Sequence, residues 1–287
     1  MATLLFKLAL LAILTTTVSS SFTPSFVNWI NATFGEPTAV SLNRADLGAG
    51  GSFGGGTHNG LSQTSKRPIL IVHGITNTAG TFNNQKNYFL ANGWSDETVY
   101  GTTYGDGGAT AVQNVKMDCA FVMQVRNMLI VVNGFTQQKV DVIGYSLGSP
   151  IARKAIMGGN CVDNGYYLGP PLTYMVETYV SMAGANRGSG TCVLPFFNAC
   201  NTNNGLYCTS TYLKNTNNAT NTHYEGNKVF SIYGPNDDKV KWSNNCNTLN
   251  SQILGSDAEK NDAVGNHDAI LANYVNVTKT LLDTGAF

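Results

Sequence analysis

Charged residues are scarce in this 287-residue sequence, and the two signs balance. The 17 Lys and Arg residues match 17 Asp and Glu residues, and charged residues make up only 12% of the chain. Binding to a nucleic-acid backbone needs a basic surplus on some face, so the composition argues against a nucleic-acid-binding protein. No basic run is present, which argues against a polybasic membrane anchor. The apolar fraction of 43% is large enough for a sizeable core and excludes a disordered chain.

Long hydrophobic runs are also missing. The longest candidate, residues 8–14, follows Lys7 and precedes small residues at 18–20. A charged, then apolar, then small segment is typical of a cleaved signal peptide, which we place at residues 1–20. The run is far shorter than the roughly 20 apolar residues of a spanning helix. We expect no transmembrane segment later in the chain, and we expect a secreted protein.

Paired C-x-x-C motifs are absent, so a zinc site is a poor explanation for the cysteines. Their even number instead suits three disulfides in an oxidising compartment. The six candidates are Cys119, Cys161, Cys192, Cys200, Cys208 and Cys246. Asn-X-Thr triplets at Asn31, Asn218 and Asn276 are candidate glycosylation sites in a secreted protein.

The mature chain is expected to have two parts. Residues 21–66 form an N-terminal extension that opens with an aromatic stretch at 22–29, where a short helix can pack on the main body. The extension ends in a glycine-rich linker at 48–56, which we predict to be too flexible for regular structure. Residues 67–287 form the main domain, in which strand and helix patterns alternate.

That alternation predicts an α/β fold, with a mostly parallel sheet and helices on both faces. Short apolar runs predict strands at residues 68–72, 98–103, 139–143, 174–182 and 228–233. Helical spacing predicts helices at 80–92, 109–132, 147–157 and 269–282.

The strongest chemical signal is the sequence Gly-Tyr-Ser-Leu-Gly at 144–148, which lies between a predicted strand and a predicted helix. A serine at such a turn is held in a strained conformation with its hydroxyl exposed above the sheet. Gly144 and Gly148 supply the small residues that the close packing requires. Ser146 is therefore predicted to be a nucleophile.

A serine hydroxyl needs a base, and the sequence has only four histidines. In this type of site the acid and then the histidine follow the serine along the chain, which excludes His58 and His73. His267, before the last predicted helix, is favoured over His223 in an Asn- and Thr-rich loop. The acid should follow strand 228–233, where Asp237 and Asp238 are adjacent, and the residue chemistry alone leaves both open.

The oxyanion of the reaction needs backbone N–H donors. The residue after the nucleophile, Leu147, should supply one, and Ile75 after the first core strand should supply the other. His73, in the same loop, is expected to be a structural hydrogen-bonding residue rather than a catalyst.

From about Arg67 to its end, the chain resembles the class 2 lipase family, which includes small bacterial α/β-hydrolase lipases. The resemblance rests on six ordered motifs, at residues 72–75, 92–95, 140–148, 184–187, 231–233 with Asp237, and 265–267. It implies an α/β-hydrolase fold, a Ser-Asp-His triad, and hydrolysis of carboxylic esters, commonly acylglycerols, without a metal or other cofactor. In the family pattern the acid lies four residues after the tyrosine of the Ser-Ile-Tyr strand, which selects Asp237. Ile75 and Leu147 carry over as oxyanion donors.

Several functions remain compatible with this pattern. The preferred one is a lipase that acts on a lipid or other ester substrate, including substrate at a lipid–water interface. The alternatives are a short-chain carboxylesterase, an acyltransferase, or a catalytically silent binding module with this fold. We expect a monomer.

The sequence differs from the small bacterial lipases by an insertion at residues 188–225, which contains Cys192, Cys200 and Cys208. Because it leaves the carboxyl edge of the sheet, we expect it to lie over the active site as a wall for acyl chains. The alternative is a surface loop stapled only for stability, with Phe196 and Phe197 packed on the body. Cys119 lies on the long helix before the nucleophile, and Cys161 lies just after the helix that follows the nucleophile. In this architecture those two helices should be neighbours, so that pair is expected, with the other four cysteines pairing among themselves.

Overall fold

The computed structural model describes residues 21–287 except positions 219 and 221. The predicted signal peptide, residues 1–20, lies outside the described residues. The described strands, in chain order, are β1 (Ser52–Phe53), β2 (Ile69–Val72), β3 (Val99–Thr102), β4 (Val140–Tyr145), β5 (Val176–Met182), β6 (Lys228–Tyr233) and β7 (Ala258–Asn261). The described α-helices are α1 (Pro24–Phe34), α2 (Glu36–Asn43), α3 (Asn83–Ala91), α4 (Cys119–Thr136), α5 (Gly148–Met157), α6 (Thr211–Thr216), α7 (His267–Asn273) and α8 (Val275–Thr284).

The strands form one sheet in the order β1-β3-β2-β4-β5-β6-β7. Every neighbouring pair is parallel except β1 with β3, which is antiparallel. The predicted fold class, a mostly parallel sheet between helices, is therefore confirmed. Parallel order brings the carboxyl ends of the strands to one edge, where ligands bind in such sheets.

Two hydrophobic cores lie on opposite faces of the sheet, because alternate residues of a strand point to opposite sides. Leu70 and Val72 join a core with residues of α1, α2, α4, α5 and α6. Ile69 and Ile71 join a second core with residues of α3, α7 and α8. Burial on both faces explains why the central strands read as continuous apolar runs.

The N-terminal extension is part of this packing. Phe26 and Ile30 of α1 are fully buried in the first core. The predicted flexibility of residues 48–56 is wrong, because Ser52–Phe53 forms the edge strand β1 on β3. The absence of side chains there serves close packing: a Cβ on Gly54 would lie 2.4 Å from the ring of Tyr100.

The long helix before the nucleophile is shorter at its start than predicted. It begins at Cys119 instead of residue 109, although Val112 and Val115 share its apolar spacing. Contacts distant in sequence fix the point where the helix begins. The amide of Met117, just before it, donates to the carbonyl of Asn204, and the amide of its first residue, Cys119, donates to the side chain of Asp163. Residues Val112–Asn114 form a short 3-10 turn instead. The predicted closing helix is likewise two helices, α7 and α8, which meet at Tyr274.

Helix α4 bears on the expectation that the later chain has no transmembrane segment. By length and composition it could cross a membrane, and it is the one such helix among the described residues. Of its span, 56% is buried within the protein, however. Its Arg126 is also buried, and the guanidinium donates to the carbonyls of Ala155 and Pro170. In this structure α4 packs as a core helix.

Three disulfides connect the cysteines. Cys119 is bonded to Cys161, the pair expected from neighbouring helices, and α4 does pack beside α5. The remaining bonds are Cys192–Cys200 and Cys208–Cys246. The first of these closes a short loop inside the insertion, and the second ties the insertion to the loop after β6.

Candidate active site

The turn between β4 and α5 has the strained geometry that its sequence predicts. Ser146 has a φ of +54°, in the left-handed region that side chains other than glycine rarely adopt. A Cβ on Gly144 would lie 2.7 Å from Ser149, and one on Gly148 would lie 2.1 Å from the carbonyl oxygen of His73. Only glycine fits at either position, so the sequence around Ser146 is dictated by packing.

A chain of hydrogen bonds starts at this serine. Nε2 of His267 lies 3.0 Å from Oγ of Ser146, and Nδ1 of His267 lies 2.7 Å from Oδ2 of Asp237. All three side chains are buried. A carboxylate only accepts hydrogen bonds, so Nδ1 carries the proton and Nε2 is free to accept the serine proton. The structure thus brings together the three residues that the sequence selected from distant segments.

The two adjacent aspartates occupy different places. Burial alone would raise the pKa of Asp237, but hydrogen bonds from His267 and from the amides of Lys239 and Val240 outweigh it and hold that pKa below its usual value. Asp237 is therefore an anion beside the imidazole at neutral pH. Asp238 instead accepts the backbone N–H of His267 at 3.1 Å. It contacts the backbone of this histidine and not its ring.

The two expected oxyanion donors face the same pocket as the serine. Ile75 and Leu147 both line it, with Ser146 and His267. Within the described part of the chain, neither of their amides donates to a backbone or side-chain acceptor. Both N–H groups are therefore available to a bound oxygen.

His73 supports the loop that carries Ile75. Its Nδ1 donates to the carbonyl of Gly74 at 2.8 Å, and its Nε2 accepts the amide of Tyr104 at 3.0 Å. Its ring also stacks on Tyr104, with centroids 4.0 Å apart. Burial lowers the pKa of His73 to about 4, so the ring is neutral and its acceptor nitrogen is preserved at neutral pH. This matches the structural role expected from the sequence.

The remaining histidines lie elsewhere. His223 pairs with Asp257 at 2.8 Å and is partly exposed. His58 contacts the carbonyl oxygen of Phe135 from the N-terminal extension. Neither lines the pocket that contains Ser146.

A cavity of about 800 Å³ lies above Ser146. Its apolar lining includes Leu147 and Leu271 from the main domain and Phe197 and Leu206 from the insertion. The insertion therefore does border the site, as its departure from the sheet edge predicts. Phe196 is absent from the lining and its side chain is 81% exposed.

Sequence reasoning missed a polar cluster at the mouth of this cavity, formed by Tyr145, Lys239 and Asp268. The Tyr145 hydroxyl donates to Asp268 at 2.8 Å, and Lys239 Nζ lies 2.7 Å from both oxygens of the same carboxylate. The one feature of the sequence that could have indicated this cluster is position, since each of its residues lies within two residues of Ser146, Asp237 or His267.

One group of side chains has the spacing of a metal site within residues 21–218, 220 and 222–287: Cys119, Cys161 and Asp163. The two sulfurs are joined in a disulfide and cannot act as thiolate ligands. The group also lies outside the lining of the Ser146 cavity.

Comparison with known proteins agrees with the family resemblance that the sequence motifs indicate. The family model described as Lipase (class 2) matches residues 66–280. Lipase BlEst2 of Bacillus licheniformis in its mature form superposes with a TM-score of 0.56 at 15% identity, over 81% of this chain and 98% of that one. Lipase B of Aspergillus fumigatus superposes with a TM-score of 0.52 at 14% identity, and the match covers 76% of this chain and 49% of that one. This chain therefore spans about half the length of that lipase.

An esterase of Thermogutta terrifontis, solved with butyrate bound, gives a TM-score of 0.51 at 11% identity and covers 82% of this chain and 88% of its own. At such low identities these likenesses show the fold alone, which is that of the α/β-hydrolases. The family match covers most of the chain and includes Ser146, Asp237 and His267.

Proposed function

This chain belongs to the class 2 lipase family, and from that premise we propose that it is a secreted serine hydrolase that cleaves acylglycerols. The family and fold are those of carboxylic ester hydrolases. The observation that carries the finer proposal is the hydrogen-bonded chain Ser146–His267–Asp237 at the floor of a largely apolar cavity.

In the proposed first half-reaction, Oγ of Ser146 attacks the ester carbonyl carbon while Nε2 of His267 takes the hydroxyl proton. The carbonyl oxygen becomes an anion, which the amides of Ile75 and Leu147 stabilise. Asp237 holds the imidazole in the required tautomer and stabilises the imidazolium. As the tetrahedral intermediate collapses, the carbon–alkoxy bond breaks and the leaving alcohol takes the proton from Nε2. An acyl ester on Ser146 remains.

Water completes the proposed cycle. Nε2 of His267 accepts a proton from water as the water oxygen attacks the acyl carbon, and a second oxyanion forms at the same two amides. Collapse breaks the bond to Oγ, and the proton on Nε2 returns to Ser146. The products are a carboxylic acid and the free serine. No metal or other cofactor takes part in this scheme.

The insertion supports acyl substrates of substantial length. Phe197, Ala199 and Leu206 add apolar surface to the cavity beyond what the main domain supplies. The disulfide Cys192–Cys200 closes the loop that carries Phe197. Such a short cross-linked loop has little freedom to open, so we propose a fixed wall for the acyl chain rather than a swinging lid.

Exposed apolar side chains on the cavity lining and on the disulfide-closed loop that carries Phe197 support action at a lipid–water interface. Val112, Val193, Leu194, Phe196 and Phe197 each expose more than half of their surface, although they are large and apolar. Such a group of exposed apolar residues marks a binding surface in a soluble protein. We propose that this rim contacts the ester surface while the substrate enters beside Phe197.

Secretion is supported by the three disulfides, which persist in oxidising compartments. Asn31, Asn218 and Asn276 are all exposed, so each candidate glycosylation site is accessible.

The decisive experiment uses Ser146→Ala and a fluorophosphonate probe. We expect the wild-type protein to be labelled and to hydrolyse a soluble nitrophenyl ester, and the variant to lose labelling and about a million-fold in rate while folding normally. Retention of activity in the variant would overturn the proposed nucleophile. Absence of labelling and of turnover in the folded wild type would instead indicate a silent binding module.

A second measurement separates lipase from carboxylesterase. Rates on a short triacylglycerol are followed as its concentration passes the solubility limit. A lipase gains activity when the substrate forms an interface, whereas an esterase of soluble substrates saturates below that limit. Saturation below the limit would leave the serine chemistry intact and replace the acylglycerol proposal with a short-chain esterase.

A further inference from the structure

The polar cluster of Tyr145, Asp268 and Lys239 connects the three segments that carry the proposed triad. Tyr145 directly precedes Ser146, and Asp268 directly follows His267. Lys239 lies two residues after Asp237, and its amide donates to the Asp237 carboxylate at 2.9 Å. Each cluster residue is thus held close to one triad residue by the covalent chain. In addition, the three cluster residues bond to one another through their side chains.

The bonds of the cluster converge on Asp268. Its Oδ1 accepts the Tyr145 hydroxyl at 2.8 Å, and both of its oxygens lie 2.7 Å from Lys239 Nζ. The Tyr145 ring also packs against the imidazole of His267, with centroids 5.0 Å apart. The carboxylate therefore joins the end of β4, the loop after β6 and the start of α7 at one point beside the site.

The cluster also places the Asp268 carboxylate close enough to interact with the imidazole, and the opposite charge of Lys239 is paired with that carboxylate. The hydrogen bond from Lys239 lowers the pKa of Asp268, so Asp268 is an anion across the working pH range. The Asp268 and Lys239 side chains are 65% and 55% exposed, so water and salt screen their influence. An anion near a histidine favours its protonated form and a cation disfavours it.

We propose that Tyr145, Asp268 and Lys239 are positioning residues for the reaction at Ser146: they hold the three triad segments in register and balance the charge that the base experiences. They act through the triad, and none of them gives or takes a proton in the proposed steps. The inference rests on the proposed function, because it assigns a role toward that reaction.

Other charged and titratable groups surround His267 and must be held constant in any test. They are Asp237 and Asp238 on the loop after β6, which contact the ring and the backbone of this histidine. None of them is changed in the variants below, so a difference between variants reports only the cluster.

The test measures kcat/KM against pH on a soluble nitrophenyl ester for Asp268→Asn, Lys239→Met and the double variant. The acid limb of this profile reports the protonation of the base in the free enzyme. We expect Asp268→Asn to move the acid limb to lower pH and Lys239→Met to move it to higher pH, by about 0.5 unit each at low salt. The double variant should return close to the wild-type profile, and added salt should shrink both single shifts.

Tyr145→Phe tests the geometric part, because it removes the hydrogen bond and no charge. We expect kcat to fall about three- to ten-fold, which corresponds to one lost hydrogen bond, with KM and the acid limb unchanged. A purely structural role would lower the melting temperature and leave kcat as it is. Lys279→Met and Asp283→Asn are matched controls, since this exposed ion pair lies on α8 outside the cavity. They should leave the profile unchanged.

The electrostatic role would be overturned by either of two results. The acid limbs of Asp268→Asn and Lys239→Met could both coincide with that of the wild type, or both could move in the same direction. An unchanged kcat in Tyr145→Phe would overturn the geometric role. The Ser146→Ala experiment keeps these failures separate from failure of the proposed function: if Ser146→Ala is inactive while the cluster variants behave as wild type, only the positioning role is wrong.

Discussion

At the scale of single residues, two neighbouring aspartates contact the same histidine in different ways. Asp237 accepts from the imidazole Nδ1 at 2.7 Å, and Asp238 accepts from the backbone N–H at 3.1 Å. The first contact orients the ring, and in the proposed reaction it would stabilise the imidazolium that forms. The second contact only fixes the start of α7. The chemical consequences of removing the two carboxylates should therefore differ widely.

We expect Asp237→Asn to reduce kcat by about three to four orders of magnitude, because the imidazole loses the anion that sets its tautomer. Asp238→Asn keeps an oxygen that can accept the same amide, so its kcat should fall by less than about ten-fold. Steady-state rates on a soluble ester, with circular dichroism to check folding, give the comparison. The reverse ranking would show that Asp238 is the acid.

Asp141 is a second residue with an unusual charge environment. It is buried at the start of β4, where it accepts from Arg67 and from the amide of Thr178. Burial raises the pKa of Asp141 to about 7, and the contacts with Arg67 and Thr178 oppose that rise only in part. The folded state therefore holds a proton on Asp141 at a pH where the unfolded chain, with an ordinary value of about 3.9, has released it.

A raised carboxyl pKa stabilises the fold below the unfolded value, and this stability is lost as pH rises through the folded value. The contribution of Asp141 should thus decline between pH 4 and about 7. In urea unfolding, the wild type should lose stability relative to Asp141→Asn across this window, because Asn does not titrate. A difference in unfolding free energy that stays constant with pH would show that Asp141 remains ionised throughout.

At the scale of elements, the insertion places its two phenylalanines differently. Phe197 lines the cavity, whereas Phe196 is not part of the lining and is 81% exposed. Both are carried by the loop that the Cys192–Cys200 disulfide closes. The sequence alternative, in which both rings pack on the body for stability, does not fit this exposure. The two side chains are instead available for separate tasks.

We expect Phe197→Ala to lower activity on long-chain esters by up to about ten-fold, since full burial of a Phe side chain contributes about 1.5 to 3 kcal/mol and an acyl chain would cover part of this ring. Activity on short soluble esters should persist. Phe196→Ala should keep the chain-length profile and weaken adsorption to a triacylglycerol emulsion. Leu61→Ala is the control, because this residue is 80% exposed and does not line the cavity. Equal losses on long and short esters would argue against a wall.

At the scale of the whole molecule, the N-terminal extension is integrated into the fold. The Phe26 ring contacts Tyr100 and Phe135, with centroids 5.3 and 4.6 Å apart. Strand β1 pairs with β3 at the edge of the sheet. The boundary near residue 66 therefore follows the family match but does not mark a separate core.

We expect Phe26→Ala to reduce the free energy of unfolding by about 3 to 5 kcal/mol, because it opens a cavity in the first core. Phe34→Ala on the same helix is the matched control. Its side chain is 39% exposed, and the loss should be less than about 1 kcal/mol. Guanidinium unfolding followed by tryptophan fluorescence measures both. Similar losses for the two variants would mean that α1 packs only loosely on the body.

The sequence by itself determined the features that are encoded in contiguous residues. The central strands read as apolar runs because they are buried on both faces, and β6 was predicted at its observed bounds. The Gly-Tyr-Ser-Leu-Gly turn was recognisable because close packing permits only glycine at positions 144 and 148. The fold class followed from the alternation of these elements with helices.

Tertiary structure decided what depends on residues distant in the chain. Edge strands β1 and β7 lack an apolar pattern of their own and form by pairing with a neighbour. Helix α4 begins later than predicted because Asn204 accepts the amide of Met117 just before the helix and Asp163 accepts the amide of its first residue. The carboxylate that meets the imidazole, and the cluster around Asp268, depend on how three loops converge at one sheet edge. Hydrogen-bond geometry of this kind is set by packing of the whole domain, and no local pattern records it.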